Sequence, residues 1–349
     1  MKELKFIDLF AGIGGFHEAT KNAQIKNVKF KNIGFCEIDN HAQKLYAEVH
    51  KNGKPLFHIK DVKQIKVKDI ESEDKVSLPD FDVLFGGFPC QSFSNVGMRK
   101  GLEDERGELF YDILNILDFH NPNFFILENV QKLSTINKGT TLDAMVVALE
   151  EIGKGYHVHV WDLNANKYGV PQQRRRLFFC GVSKNYVKNK LKLTQPQHIP
   201  QIDWAYPTTW HLLEKEVDEV HFIPTKTRET VLRKNEKWAG NLQIDRPIAK
   251  PLTASMSKWH RANQDNYYSE TYIQGNTPYE SPNVNWDSER IRRITPLEGF
   301  RIQGFPDDYY TKSKELKLSN STQYKLIGNA VPVTLAKSVI EHFFNSYLS

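Results

Sequence analysis

Apolar residues in the first half of the chain form short continuous runs, and these runs predict buried strands. Six runs have this character, at residues 4–10, 31–39, 81–87, 123–130, 157–165 and 176–182. Segments with helical apolar spacing lie between several of them, as at 40–50 and 109–120. Continuous apolar strands that alternate with helices indicate an α/β fold with an open, mostly parallel sheet.

Open α/β sheets bind their ligands at the carboxyl ends of the strands. The loops that follow Phe10, Asp39, Phe85 and Leu127 all come directly after predicted strands. We therefore expect a ligand site to be assembled from these four loops.

The character of the chain changes after about residue 183. Residues 183–287 are irregular, with scattered prolines and five of the six tryptophans. This change predicts a second, smaller domain whose aromatic residues form its own core or part of a contact surface. The last segment, 324–344, is helix-like after Pro332.

Composition places the chain among ordinary globular proteins and leaves its partners open. The 349 residues exceed what one small core needs, and 40% are hydrophobic and 26% charged. No apolar stretch approaches the roughly 18–20 residues of a membrane span, and no signal peptide is recognisable at the N-terminus. A cytoplasmic protein is expected. The net charge of +5 permits a nucleic acid partner without establishing one.

The three cysteines, Cys36, Cys90 and Cys180, are far apart and form no CxxC pair. A disulfide framework or a structural zinc site is therefore not expected. Cys36 and Cys180 are interpreted as small core residues. Cys90 differs, because it follows Pro89 in the glycine-rich loop GGFPCQSFS at the end of a predicted strand. A cysteine in such a loop can act as a thiolate nucleophile, although a lone PC dipeptide more often has no such role.

Glu128 ends the predicted strand 123–130, in the tripeptide ENV. A carboxylic acid near a nucleophilic cysteine suits a reaction in which an adduct must be protonated. The alternative for this residue is a surface salt bridge. The run QQRRRLFF offers three arginines before the next strand, and alternation puts Arg174 and Arg176 on one face and Arg175 on the other. Such arginines can orient a base or a phosphate, or can simply start a solvated strand.

The stretch DLFAGIGGF places Gly12, Gly14 and Gly15 at a strand-to-helix turn. Glycines let the backbone approach a ligand closely, yet this spacing does not match the dinucleotide fingerprint GxGxxG. A cofactor turn and a tight structural turn both remain open. Glu37 ends the next strand, where it can accept hydrogen bonds from ribose hydroxyls or act as a charge at a helix N-terminus. Asp61 lies where it could meet an adenine amine.

In this order, the motifs resemble those of the DNA (cytosine-5) methyltransferases. The resemblance covers nearly the whole chain except about 185–285. The matching stretches are DLFAGIGGF, FCEID, GGFPCQSFS, RGELFYDI, ENV, YGVPQQRRRLF, RITPLEGFRIQGFP and IGNAVPV. The resemblance implies a Rossmann-like, S-adenosylmethionine-dependent methyltransferase sheet with a smaller, irregular target-recognition domain.

The family's mechanism, transferred to the matching positions, gives each catalytic residue a role. Cys90 would add to carbon 6 of cytosine, and Glu128 would hold N3 and the exocyclic amine and protonate N3. Arg176, with Arg174, would steady the base or the loop. S-adenosylmethionine would supply the methyl group. Loss of the carbon 5 proton would then expel Cys90 and leave 5-methylcytosine.

The resemblance also implies the residues of the cofactor site. The methionine and ribose would lie against the first glycine turn, the ribose hydroxyls on Glu37, and the adenine against Ile38, Asp61 and Val62. The complete implied set is Phe10, Ala11, Gly12, Ile13, Gly14, Glu37, Ile38, Asp61, Val62, Gly86, Pro89, Leu109, Asn329 and Ala330. Because Asn329 is far along the chain, the catalytic domain is expected to be discontinuous.

The implied substrate is duplex DNA with the target cytosine flipped out of the stack. A loop at residues 91–107 would close over the DNA, with Ser94, Arg99 and Lys100 near the backbone. Lys258 and Arg261 belong to a polar cluster that could enter the major groove or form a solvated loop. The Thr-Leu pair of many family members is absent, since Pro251-Leu252 stands nearest and Thr253 follows, so no base contact is assigned there.

The expected domains are a catalytic domain at 1–185 plus 320–349, a target-recognition domain at 186–290, and a hinge segment at 291–319. A monomer without a membrane or an obligatory protein partner is expected, and a restriction endonuclease acting on the same site is compatible. Three other hypotheses are a tRNA cytosine-5 methyltransferase, a binding protein with a decayed fold, and a nicotinamide dehydrogenase. The missing CFT tripeptide disfavours the tRNA methyltransferase. The intact Cys90, Glu128 and Asn329 disfavour a decayed fold. The missing GxGxxG disfavours the dehydrogenase.

Overall fold

The computed structural model describes residues 1–51, 56–67, 75–89, 108–233 and 243–348. The predicted residues Cys90, Ser94, Arg99 and Lys100 lie outside these ranges. The described part of the chain divides into two compact units. The first comprises Met1–Leu163, Arg175–Gln197 and Ala336–Ser349, and the second comprises Asn164–Arg174 and His198–Leu335. The domain boundaries expected from the sequence stay a prediction.

The first unit is built on a seven-stranded sheet in the order β3-β2-β1-β4-β5-β7-β6. Its strands are β1 (Lys2–Leu9), β2 (Val28–Cys36), β3 (His58–Ile59), β4 (Val83–Gly87), β5 (Phe124–Val130), β6 (Tyr156–Asn164) and β7 (Arg175–Ser183). The pairings among β1 to β5 are parallel, and β7 runs antiparallel to β5. The predicted α/β fold with a mostly parallel sheet is confirmed.

Four helices follow strands of this sheet, and their apolar faces supply its cover. They are α1 (Gly15–Asn22), α2 (Asn40–His50), α3 (Glu108–His120) and α4 (Thr140–Glu151). Helix α2 begins where the sequence predicts, because the Asp39 carboxylate accepts hydrogen bonds from the amides of His41 and Ala42. Cys36 and Cys180 are both buried in strands, as predicted.

The second unit is mostly irregular and has a small apolar core. Its elements are α5 (Thr225–Leu232), β8 (Tyr267–Ser269), α6 (Glu270–Gln274), β9 (Ile291–Arg293), α7 (Pro296–Ile302), α8 (Asp308–Glu315) and α9 (Asn320–Asn329). The last helix, α10 (Val333–Leu348), begins at the end of this unit and belongs mostly to the first unit. Arg292 and Glu298 form a fully buried ion pair at 2.7 Å beside the start of α7. Glu298 also accepts from the Thr295 amide at 2.7 Å, so this charge is satisfied inside the unit.

Within the residues that the structure describes, no helix is both long and apolar enough to cross a membrane.

Candidate active site

The turn after β1 is a left-handed stretch of backbone that depends on glycine. Phe10, Gly12 and Gly14 have φ angles of 51°, 55° and 90°. The Ala11 amide donates to the Cys36 carbonyl at 3.0 Å, which fixes the turn to the end of β2. A Cβ atom built on Gly12 would meet no atom within 4 Å, whereas one on Gly14 would lie 2.4 Å from Nε2 of His50. Gly14 therefore serves packing, and Gly12 borders open space.

This difference predicts unequal effects for two alanine substitutions. Gly14→Ala is expected to lower the free energy of unfolding by about 3 kcal/mol, because it adds a clash with His50 to an unfavourable φ. Gly12→Ala, with the φ cost alone, is expected to lower it by about 1 kcal/mol. Denaturant unfolding of both variants beside the wild type measures the difference. Equal losses would show that steric crowding at Gly14 does not matter.

Glu37 follows β2 and is held by the backbone around it. Its Oε2 accepts from the Gly12 amide at 2.8 Å, and its Oε1 accepts from the Asp39 amide at 2.8 Å. Burial raises the pKa of Glu37, while these amide hydrogen bonds oppose the rise. Asp39 caps α2, and Glu37 accepts the backbone amide of this capping residue, so the contacts leave a role of Glu37 at the helix N-terminus open. The next side chain, Ile38, is 65% exposed.

Asp61 and Val62 lie beside this turn at the end of β3. The Glu37 amide donates to the Ile59 carbonyl at 3.2 Å, which brings the ends of β2 and β3 together. Asp61 then begins a short 3₁₀ turn, and its carboxylate accepts from the Lys63 amide at 3.0 Å. Val62 is buried in the core of this unit, against which Leu109 also packs.

The end of β4 joins the glycine turn to β5. Gly86 pairs with Leu9 of β1 on one side and with Leu127 of β5 on the other. A Cβ on Gly86 would lie 3.3 Å from Cδ2 of Leu127, so the three strands are closely packed here. The Asn129 side-chain amide donates to the Phe88 carbonyl at 3.1 Å. The chain that leads into Cys90 is thus fastened to β5 one residue after Glu128.

Glu128 is paired with Arg176 in a largely buried position. The antiparallel register of β5 and β7 sets Val130 opposite Arg176. Nε of Arg176 lies 2.5 Å from Oε1 of Glu128, and the two side chains are 13% and 9% exposed. The sequence alternative of a surface salt bridge is therefore wrong. A carboxyl group oriented by a guanidinium is suited to hydrogen bonding with a ligand.

The neighbouring arginines have different partners. Arg175 is exposed and pairs with Asp162 at 2.6 Å, so Arg175 and Arg176 separate as strand alternation predicts. Arg174 belongs to the second unit. Its Nη1 donates to the Leu252 carbonyl at 2.7 Å, and its Nη2 donates to the carbonyls of Gly328 and Ala330 at 2.9 and 3.0 Å. Arg174 precedes β7, which begins at Arg175, and both Arg174 and Arg176 are more buried than Arg175, which is consistent with the predicted alternation.

The remaining predicted residues Asn329, Ala330, Lys258 and Arg261 lie in the second unit. Asn329 is exposed at the end of α9, and Ala330 is buried, with its amide donating to Ile327 at 3.2 Å. Lys258 is exposed and Arg261 is partly buried. His260, from the same cluster, is engaged by Asp265 at 2.8 Å.

A buried polar cluster beneath the glycine turn escapes sequence reasoning. The Tyr46 hydroxyl lies 3.5 Å from Oδ2 of Asp8 and 3.1 Å from Nδ1 of His17, and the His17 ring stacks on His50 at 3.8 Å. Burial raises the pKa of Asp8 well above its usual range and lowers that of His17 to about 3. The one sequence signal is an aspartate inside an apolar strand. The cluster supports the turn from below, since His50 contacts Gly14.

These contacts fit a nucleoside-containing cofactor at the carboxyl ends of β1 to β4. A carboxylate fixed by two backbone amides is a suitable acceptor for ribose hydroxyls. The open space beside Gly12 permits close approach of a ligand, and the exposed Ile38 offers an apolar face. An α/β sheet with an oriented carboxylate at its strand ends and a buried Glu128–Arg176 pair suits an enzyme that brings a nucleoside cofactor to a substrate.

The comparisons with known proteins identify the particular family. The model of the C-5 cytosine-specific DNA methylase family matches residues 4–345. The chain therefore belongs to this family and is a DNA (cytosine-5) methyltransferase, as the resemblance implied. Methyltransferases of this fold use S-adenosylmethionine.

Two curated relatives and one solved structure illustrate the similarity. The chain is 32% identical to the type II methyltransferase M.HpaII of Haemophilus parainfluenzae, over 99% of this chain and 92% of that protein. It is 27% identical to the orphan methyltransferase M.SPRI of Bacillus phage SPR, over 100% and 99% of the two chains. The Entamoeba histolytica methyltransferase EhMeth has the same fold, with a TM-score of 0.74, 20% identity and complete coverage of both chains.

Proposed function

We propose that this chain methylates carbon 5 of a cytosine that has been flipped out of a short, specific sequence of duplex DNA. The observation that carries the proposal is the buried Glu128–Arg176 pair. This pair lies beside the end of β4, which leads into Cys90. The neighbouring Asn129 donates a hydrogen bond to the Phe88 carbonyl at that strand end. A nucleophile and an acid on adjacent strand ends suit an addition that must be protonated.

Glu37, Ile38 and the glycine turn would hold S-adenosylmethionine. The two oxygens of Glu37 already accept backbone amides, so the carboxylate is oriented before a ribose arrives. Gly12 would let the methionine portion approach the backbone, and Asp61 and Val62 would border the adenine. When bound, S-adenosylmethionine supplies an electrophilic methyl group on its sulfonium.

The chain's own residues would activate the cytosine. The Cys90 thiolate forms a bond to carbon 6, and Glu128 donates a proton to N3, which turns the ring into an enamine nucleophilic at carbon 5. Arg176 orients the Glu128 carboxyl through its oxygen Oε1. After carbon 5 has gained the methyl group, a solvent water takes the carbon 5 proton. The electron pair left behind restores the double bond between carbons 5 and 6 and expels the Cys90 thiolate, and N3 returns its proton to Glu128. Covalent addition thus divides a difficult displacement into easier steps.

Flipping the cytosine costs a few kcal/mol, which contacts in the pocket and to the vacated stack offset. Residues 186–290 would carry target recognition, with Lys258 and Arg261 as candidate DNA contacts and Ser94, Arg99 and Lys100 near the DNA backbone.

A monomeric enzyme acting with a cognate restriction endonuclease fits the type II relative, and a solitary enzyme fits the orphan relative.

Bisulfite sequencing of plasmid DNA tests the proposal. Cells that express the wild-type chain are expected to yield protected cytosines in one short motif, and cells that express Cys90→Ser are expected to yield none. Protection without Cys90 would contradict the mechanism. No protection by folded protein that binds S-adenosylmethionine would contradict the DNA substrate. Label transfer to tRNA in parallel would then show that RNA is the substrate.

A further inference from the structure

Residues 251–262 form an irregular loop of the second unit, called here the anchored loop. Its residues 253–255 and Lys258 are exposed, whereas Leu252, Met256 and Ala262 are buried. Buried side chains therefore stand on both sides of an exposed stretch. A loop without the regular backbone hydrogen bonds of a helix or sheet needs such anchors to keep one conformation.

The entry to the anchored loop is held at both backbone groups of one residue. The Leu252 amide donates to Oε1 of Gln172 at 3.0 Å, and the Leu252 carbonyl accepts from Nη1 of Arg174 at 2.7 Å. Gln172 is fully buried and Arg174 is 2% exposed. Both side chains come from the stretch PQQRRR, two residues apart.

Arg174 also fastens the loop to the end of α9. Nη2 of Arg174 donates to the carbonyls of Gly328 and Ala330, on either side of Asn329. The loop backbone also lies directly on Gly328, where an added Cβ would stand 2.2 Å from the carbonyl carbon of Thr253. Arg174 thus bridges two backbone segments that are in close contact.

The exit of the anchored loop has its own anchors. Nζ of Lys250, which is buried, donates to the carbonyls of Gln243, Ala262 and Asp265 at 2.8 Å each. The guanidinium of Arg293 stacks on Trp259 at 3.6 Å and donates to the Ser257 carbonyl at 2.5 Å. Cations that donate to several carbonyls specify a loop conformation, because each unmade bond would leave a buried acceptor unsatisfied.

We propose that Arg174, with Gln172, is a positioning residue for target discrimination. By fixing the anchored loop on Gly328 and Ala330, it keeps the exposed residues of the loop in one arrangement toward DNA. A loosened loop would contact correct and incorrect sequences with more similar free energies, so discrimination would fall. The inference rests on the proposed function, because it presumes that the loop faces a DNA target.

The test compares two duplexes, the wild-type target found by bisulfite sequencing and the same duplex with one base pair changed. The readout is the ratio of kcat/KM between them for the wild type, Arg174→Ala, Arg174→Lys and the control Arg175→Ala. Arg174→Ala is expected to lower the ratio about tenfold, which lies within the range of discrimination that a single mismatched base pair produces. Arg174→Lys is expected to recover part of it, since an ammonium retains the charge but not the planar fork. The exposed Arg175→Ala is expected to keep the wild-type ratio.

A purely structural or purely chemical role for Arg174 lowers activity on both duplexes alike. An unchanged ratio in Arg174→Ala and Arg174→Lys would therefore overturn the inference. If Arg174→Ala does not fold, the ratio is measured for Gln172→Met and Arg174→Lys instead. Gln172→Met removes the acceptor of the Leu252 amide and leaves the Arg174 guanidinium in place. If the wild-type chain methylates no DNA, the proposed function fails, which is a different result from methylation with unaltered discrimination.

Discussion

Cys90→Ser is expected to lower the single-turnover rate of methyl transfer by roughly 10⁴-fold or more, the scale of losing a catalytic nucleophile. A serine hydroxyl stays protonated near neutral pH and adds poorly to carbon 6, whereas a thiol readily provides a thiolate. Binding of S-adenosylmethionine is expected to persist, because the predicted contacts of Glu37 and the glycine turn are intact. Rapid-quench assays with tritiated S-adenosylmethionine measure the rate, and equilibrium dialysis measures the binding.

A matched control for this substitution is Cys180→Ala, which removes a buried thiol in β7 outside the proposed site. It is expected to keep near wild-type transfer with a modest loss of stability. DNA with 5-fluorocytosine at the target adds a direct readout. Fluorine cannot leave carbon 5 as a cation, so the wild-type adduct should survive denaturing electrophoresis. Retention of that adduct in Cys90→Ser would remove Cys90 from its role.

Glu128→Gln is expected to slow single-turnover transfer by about 10²- to 10⁴-fold, the range for loss of general acid catalysis. The amide can still hydrogen-bond the base, but it has no acidic proton to give to N3. The substitution also leaves Arg176 without its carboxylate in a largely buried position, so some loss of stability should accompany the loss of rate. Parallel rapid-quench kinetics and denaturant unfolding separate the two effects.

Asp162→Asn is the matched control for Glu128→Gln, because it breaks a carboxylate–arginine pair between Asp162 of β6 and Arg175 of β7. The Arg175 side chain of that pair is 58% exposed, and exposed pairs contribute at most about 1 kcal/mol. Wild-type rates are expected for this control. Wild-type rates in Glu128→Gln as well would show that the reaction needs no acid at this position.

The strands of the first unit illustrate how much local pattern can predict. The apolar runs at 123–130 and 176–182 correspond to β5 and β7 within a residue at each end. Such runs are predictable because burial on both faces requires apolar side chains at consecutive positions. The start of α2 is predictable from local sequence as well, since Asp39 caps the amides of residues two and three positions ahead.

The glycine turn was predictable only in part. The sequence placed three glycines between a strand and a helix and left a structural and a cofactor role open. The structure assigns packing to Gly14, through His50, and open space to Gly12. That distinction depends on α2, which lies well downstream of the turn. The buried cluster of Asp8, Tyr46 and His17 depends on the same packing and was missed for the same reason.

The arginines at 174 to 176 mark the boundary between what the sequence determined and what tertiary structure decided. By itself, the sequence determined the strands, the order of the motifs and the family they resemble, because these depend on neighbouring residues. Only the antiparallel register of β5 and β7 brought Arg176 to Glu128. Only packing within the second unit brought Arg174 to the carbonyls of Leu252, Gly328 and Ala330. These partners are distant along the chain, and no periodicity in one segment encodes a contact that folding alone creates.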